Sequence, residues 1–265
     1  MGLSSLWTGS WAGLWTGQGD GVWAGLWTGF GRASLLVLLM VLGISSAAYA
    51  NRPIFAGTRA SSPDAAVRFS DPSISRVIYY ELTDEAPVQW FAVESDKRQE
   101  LRVLLGVPAG LSRKPANPVV VLFGPGLGPG AADPPGRLEL EPPVGLGTGA
   151  VVVSRKEHPE RFYEPVTGTE SLILGEGSVE LPAPGTYYGA VYDVRREAGK
   201  LWVGFGEREA FTWRDIPRLL GWIRKARDFH EMPGWPRWVW GAGAAVLAAI
   251  AGVTIWFVRR FVHET

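Results

Sequence analysis

The stretch Val239–Val258, VWGAGAAVLAAIAGVTIWFV, constrains the rest of the chain more than any other. Its 20 residues carry no charged or amide side chain, and Arg259 and Arg260 close it. At about 1.5 Å per residue, a helix of this length covers the hydrocarbon core of a bilayer, about 30 Å thick. Trp235, Trp238 and Trp240 crowd one end and Trp256 stands at the other, where indoles settle at membrane–water interfaces. The pattern predicts one transmembrane helix over residues 237–260, followed by a cytoplasmic tail at residues 261–265. Within the span Gly241, Ala245 and Ala249 stand four apart, as do Ala244, Ala248 and Gly252. Small residues at that spacing let a second helix approach closely. A span so rich in Gly and Ala suits a helix docked on other integral membrane subunits better than a solitary lipid-facing anchor.

The N-terminus divides into two unlike parts. Residues 1–33 repeat a Trp/Gly tetrad, with WAGLWTG occurring twice. Periodic glycines each cost up to about 1 kcal/mol of helix propensity, which argues against an isolated helix. The repeat reads as a low-complexity tail or translated short repeat, or as a Trp-rich segment lying against a bilayer or partner. Residues 34–50 place an apolar run, Leu35–Ile44, between Arg32 and Ala48-Tyr49-Ala50. That order matches a secretory signal peptide, or an uncleaved signal anchor. Either puts the following domain outside the cytoplasm, at the cell (inner) membrane. The four basic residues just before the last span, Arg224, Lys225, Arg227 and Arg237, outnumber the two just after it, so the positive-inside rule alone would not choose this orientation.

Residues 51–75 carry Pro, Ser and Gly without periodicity and read as a lead-in loop. Over residues 76–208, nine short runs rich in β-branched and aromatic residues alternate with turn chemistry. They are Arg76–Leu82, Val88–Glu94, Leu101–Val107, Val119–Phe123, Ala150–Arg155, Glu170–Leu174, Ser178–Leu181, Thr186–Val194 and Lys200–Gly206. With no long amphipathic helix between them, the fold class expected is mainly β, an extracytoplasmic β-sandwich of jelly-roll type. The segments VIYYELTDEAPVQWFAVESDKRQELRVLLGVP, VVVLFGPGL, FYEPVTGT and LPAPGTYYGAVYDVRREAGKLWVGFGERE together resemble an uncharacterised family of exported, membrane-anchored bacterial proteins. The last is also similar to the bacterial pre-peptidase C-terminal domain. That resemblance implies a jelly-roll-like sandwich with a non-catalytic binding or accessory role.

Candidate chemistry is sparse. The loop Phe123–Gly130 follows a strand, but Pro125 and Pro129 lack the N–H groups a phosphate loop needs. His158 sits in a charged stretch whose spacing does not demand a metal. Glu164-Pro-Val-Thr-Gly-Thr169 holds a carboxylate and two hydroxyls without a base to activate them. Glu164, Thr167 and Thr169 are therefore candidates for a partner contact or for pinning a turn. Equal numbers of basic and acidic residues, 26 each, give no footprint for nucleic acid, and the absence of cysteine removes thiol chemistry. No catalytic, cofactor or metal set is expected.

Residues 209–236 predict a helix opened by Thr212 and Asp215. Ile216, Leu219, Leu220, Ile223, Ala226 and His230 recur along it at helical spacing, with Arg218, Arg224 and Lys225 opposite. A basic amphipathic helix beside a span is expected to lie in the membrane interface, apolar face down. Its alternative is to pack that face on the β domain. Three functions follow as expectations. The first is a non-enzymatic accessory subunit of a larger membrane complex, with the bilayer and integral subunits as partners. The second is a membrane-tethered module binding carbohydrate, peptide or a secreted partner, for which Trp90 and Trp202 would have to be exposed. The third is a membrane-anchored hydrolase, which would need His158 gathered with two carboxylates.

Overall fold

The computed structural model describes residues 52–111, 117–127, 140, 143, 146, 150–153 and 156–262, with backbone alone at 150–152, 256 and 260–262. The Trp/Gly repeat, the signal segment and residues 263–265 lie outside the described residues. Residues 48–244 form one compact unit, and the chain beyond Ala244 belongs to another.

Alternation in the sequence decides the layers. Ile78, Tyr80 and Leu82, then Leu101, Val103 and Leu105, then Leu201, Val203 and Phe205 all point one way and are buried in a common core. Period-two spacing puts such residues on one face of a sheet. That sheet has six strands in the order β1 (Arg52–Gly57), β3 (Arg76–Leu82), β11 (Gly199–Phe205), β5 (Gln99–Pro108), β9 (Thr169–Leu181) and β8 (Glu160–Glu164). The second has five, β2 (Val67–Ser70), β4 (Val88–Ser95), β10 (Gly185–Asp193), β6 (Pro118–Phe123) and β7 (Ala150–Val153). Phe91, Val93, Val120, Leu122, Tyr187 and Val191 close the core from this side. Its other face is buried too: Trp90, Val121, Phe123, Ala190 and Tyr192 form a second cluster with Leu140 and Leu146. Strand β6, buried along its whole length, is therefore a continuous apolar run without alternation.

The protein is thus mainly β, a two-sheet sandwich. The sheets are mixed, because β1 runs parallel to β3 and β2 parallel to β4. The expected lead-in loop is corrected: residues 52–57 and 67–70 are strands, and β1 and β2 lie on opposite sheets. Gln89 pins the crossover, accepting the Ala60 N–H and donating to the Thr58 and Ala86 carbonyls. Two expected strands, Glu170–Leu174 and Ser178–Leu181, are one long strand, β9, with a register shift against β5 next to Gly106. Strand β8 was not expected at all.

Two helices follow among the described residues, α1 (Ile216–Phe229) after a 3-10 turn at Trp213–Asp215, and α2 (Arg237–Val262). Within α2, Arg237–Arg259 is long and apolar enough to cross a membrane.

Candidate functional site

The outer face of the six-stranded sheet carries an apolar patch at its centre. Tyr79, Leu104, Trp202 and Ile173 project there, and α1 covers them with Leu219, Trp222, Ile223 and Ala226, leaving a cavity of about 170 Å³ between sheet and helix. Trp202 faces Gly106 across the β11–β5 pair. A Cβ added at Gly106 would stand 2.2 Å from the indole, so the ring lies flat on bare backbone. Phe229 packs edge-on against Tyr79 with ring centroids 4.8 Å apart. The expectation that this helix lays its whole apolar face in the membrane interface is thereby corrected: Leu219, Ile223, Ala226 and His230 turn to the sheet, and only Ile216 and Leu220 stay exposed. The sheet offers a dry surface a few residues away in the chain, and Ile223, Ala226 and His230 are buried on it. Asp215 holds the start of the helix, accepting the Thr212 N–H and hydroxyl and pairing with Arg52 at 3.0 Å.

A polar relay crosses the apolar interface. His230 Nδ1 lies 2.8 Å from the Ala226 carbonyl, and Nε2 lies 3.0 Å from Ser171 Oγ. A carbonyl only accepts, so Nδ1 carries the proton and neutral Nε2 accepts from the Ser171 hydroxyl. Trp202 Nε1–H in turn donates to Ser171 Oγ at 3.0 Å. Every polar atom of the relay has a partner, as buried polar groups require. A Ser–His pair at this distance resembles part of a nucleophilic site. Here, however, the serine oxygen is capped by the indole and both residues are about 5–6% exposed. The relay ties α1 to the sheet.

The β8–β9 turn supplies the second fastening. Gly168, with φ +63°, lets the turn point its carbonyls outward. Arg227 Nη1 donates to the Thr167 and Gly168 carbonyls, while Nε and Nη2 donate to those of Gly234 and Pro233. One guanidinium thus joins the turn to the neck between the helices. Its planar fork serves four acceptors at once, which an ammonium could not. Trp238 Nε1–H donates to the Val166 carbonyl at 2.9 Å, fastening the first turn of α2 to the same loop.

Of the residues flagged from sequence, Glu164, Thr167 and Thr169 therefore do gather at one place. Glu164 accepts the Val166 N–H, and the Thr167 and Thr169 hydroxyls lie 2.7 Å apart. The turn they build seats this chain's own helices. Arg218 and Arg224 are exposed on α1, and Lys225, also exposed, reaches over the Phe55 ring of β1. Trp235 and Trp240 are exposed, and the Trp256 side chain lies outside the described residues. Gly241, Ala245, Ala249 and Gly252 are exposed along α2, and a Cβ built at Gly241 or Gly252 meets nothing within 4 Å. His158 is exposed, and among the described residues no three His, Asp or Glu side chains gather as metal ligands do.

Compared with known proteins, the chain matches no protein-family model and no curated protein. Among solved structures it is similar to the pre-peptidase C-terminal domain of collagenase from Bacillus anthracis. Identity is 12% and the TM-score 0.28, over 52% of this chain and 91% of that one. Arg227, Ser171 and His230 were not singled out from the sequence as a site. The available signal was a cation, Arg227, one turn beyond Ile223 within the apolar stripe.

The relay makes docking pH-dependent. Burial, first, and then the Lys200 and Arg227 charges hold His230 below its ordinary value of 6.5, against the Ala226 carbonyl, which favours the charged form. Between that lowered value and 6.5 the unfolded chain binds a proton that the folded chain refuses, so stability falls as pH drops below about 6.5. Glu164 works in the opposite sense. Burial raises its pKa above 4.5, so its folded form takes up a proton first and gains stability as pH falls towards 4.5. In Glu164→Gln, which removes the opposing slope, unfolding midpoints measured from pH 7.5 to 5 are expected to fall steadily. In Glu164→Gln/His230→Gln they should stay level over that range.

Proposed function

We propose that the protein is a non-enzymatic accessory subunit of a larger membrane assembly, anchored by residues 237–259, with its sandwich on the extracytoplasmic face. The observation that carries this reading is the fastening of the neck. Arg227 and Trp238 bind Pro233, Gly234 and the β8–β9 turn into one hydrogen-bonded seat. A module that searches for distant ligands profits from a slack stalk, whereas a subunit that covers an assembly profits from a fixed attachment. The run of exposed small residues on α2 fits helix–helix contact in lipid. The resemblance of the sandwich segments to exported bacterial proteins supports the extracytoplasmic side. The alternative, a tethered module binding carbohydrate, peptide or a secreted partner, loses its aromatic support, because Trp90 and Trp202 are 3% and 7% exposed.

Purification of the tagged chain from its native membranes in mild detergent tests the proposal. Stoichiometric co-migration of integral membrane proteins is expected, and Gly241→Leu/Ala245→Leu should disperse them while leaving the sandwich folded. A lone protomer across several mild detergents would contradict it.

A further inference from the structure

Up to Arg237, the large hydrophobic side chains left exposed among the described residues are Phe162, Tyr163, Trp213, Ile216, Leu220 and Trp235. They border one region. Phe162 and Tyr163 belong to the edge strand β8, whose turn into β9 holds the neck. Ile216 and Leu220 lie on one line of α1, and Arg227 falls on that line 11 residues after Ile216, since 11 residues are close to three full helical turns. Arg227 reaches the β8–β9 turn and the neck from there. A Cβ at Gly168 would touch Pro236 at 3.2 Å and the Tyr163 hydroxyl at 3.7 Å, so β8 and the neck meet at the same point. The apolar shoulder of α1, the outer side of β8 and the residues leading into α2 are therefore one continuous edge.

We infer that this edge of the sandwich is seated in the headgroup region of the bilayer, so that the β domain itself touches lipid beside its span. This rests on reading residues 237–259 as membrane-spanning. An exposed apolar patch marks a contact surface, and its composition favours lipid. Three of its six residues, Tyr163, Trp213 and Trp235, are of the types that settle at membrane interfaces. Arg214 and Arg224 stand exposed beside it with no carboxylate partner among the described residues, and Arg214 lies over the Trp213 ring. Free cations beside exposed indoles complement anionic headgroups. The patch is also continuous with the chain that enters the span, where Trp240 is 70% exposed.

The chain contains no cysteine, so single labels can be placed at will. Nitroxides at Tyr163→Cys, Leu220→Cys, Glu94→Cys and Ala248→Cys are read in the full chain, in nanodiscs of mixed phosphatidylcholine and phosphatidylglycerol. Accessibility to oxygen is compared with accessibility to a nickel chelate. At 163 and 220 the ratio of oxygen to nickel collisions should exceed that at 94 by several fold and stay below that at 248. Water-like ratios at 163 and 220 with an oxygen-rich label at 248 would overturn the seating and leave the span intact. A water-like ratio at 248 would overturn the span and the seating together. In native membranes, protection of 163 and 220 from both reagents would mean that a protein covers this edge instead, which also overturns it.

Discussion

Arg227→Met is expected to destabilise the protein by about 3 kcal/mol, because it strips four carbonyl oxygens of their shared donor while keeping most of the side-chain stem. A buried acceptor left without a partner costs about 1–3 kcal/mol. The Thr167, Gly168, Pro233 and Gly234 carbonyls are only partly buried, so water recovers some of that loss and the four costs do not add in full. For a chain of this size the loss corresponds to a Tm lowered by about 6–12 °C. Arg227→Lys restores the charge without the fork, and should recover less than half of the loss. Thermal unfolding of the detergent-solubilised chain measures both. A Tm unchanged by the methionine would remove the guanidinium from the account.

Trp202→Ala should cost about 3–5 kcal/mol, the range for deleting a buried indole where the surroundings close only in part. Closure is hindered here. The ring rests on Gly106 and lines a cavity already present between the sheet and α1, and the strand backbones on either side cannot move inward. Ser171 also loses the donor to its oxygen. Trp202→Phe keeps most of the ring and loses the N–H, so it should cost only about 1–2 kcal/mol. The gap between the two variants, read from denaturant midpoints at constant slope, separates packing from the relay. Equal losses would mean that the hydrogen bond, not the volume, dominates.

The central strands were legible in the sequence because both of their neighbours are strands and one or both of their faces are buried. Alternation in 76–82, 101–107 and 200–206, and the solid apolar run at 119–123, follow directly from that. Three strands were not legible, and all three are edges: β1, β2 and β8. An edge strand is half-solvated, so β8 can read Glu-Arg-Phe-Tyr-Glu, and β1 can carry Pro53, without losing a ladder bond it needs. The Glu164–Thr169 turn was legible as a pinned turn, but not what it pins. The periodicity of residues 216–230 showed an amphipathic helix without saying which apolar surface it would find. Burial of Arg227 and of the Ser171–His230 pair depends on partners about 60 residues away in the chain. No local pattern encodes such a distance.

Hydrogen bonds from Arg227 and Trp238 fix the neck before the apolar helix to the sandwich. Amide hydrogen exchange across His230–Trp238, in the full chain in nanodiscs, tests this attachment most directly. The His230, Glu231 and Met232 amides, which donate to the Ala226, Asp228 and Arg227 carbonyls, should exchange far more slowly than a free peptide, and Arg227→Met should release them while the β5 and β11 amides stay protected. Free-peptide exchange across the neck of the unaltered protein, with the strands still protected, would mean a slack tether and contradict the account.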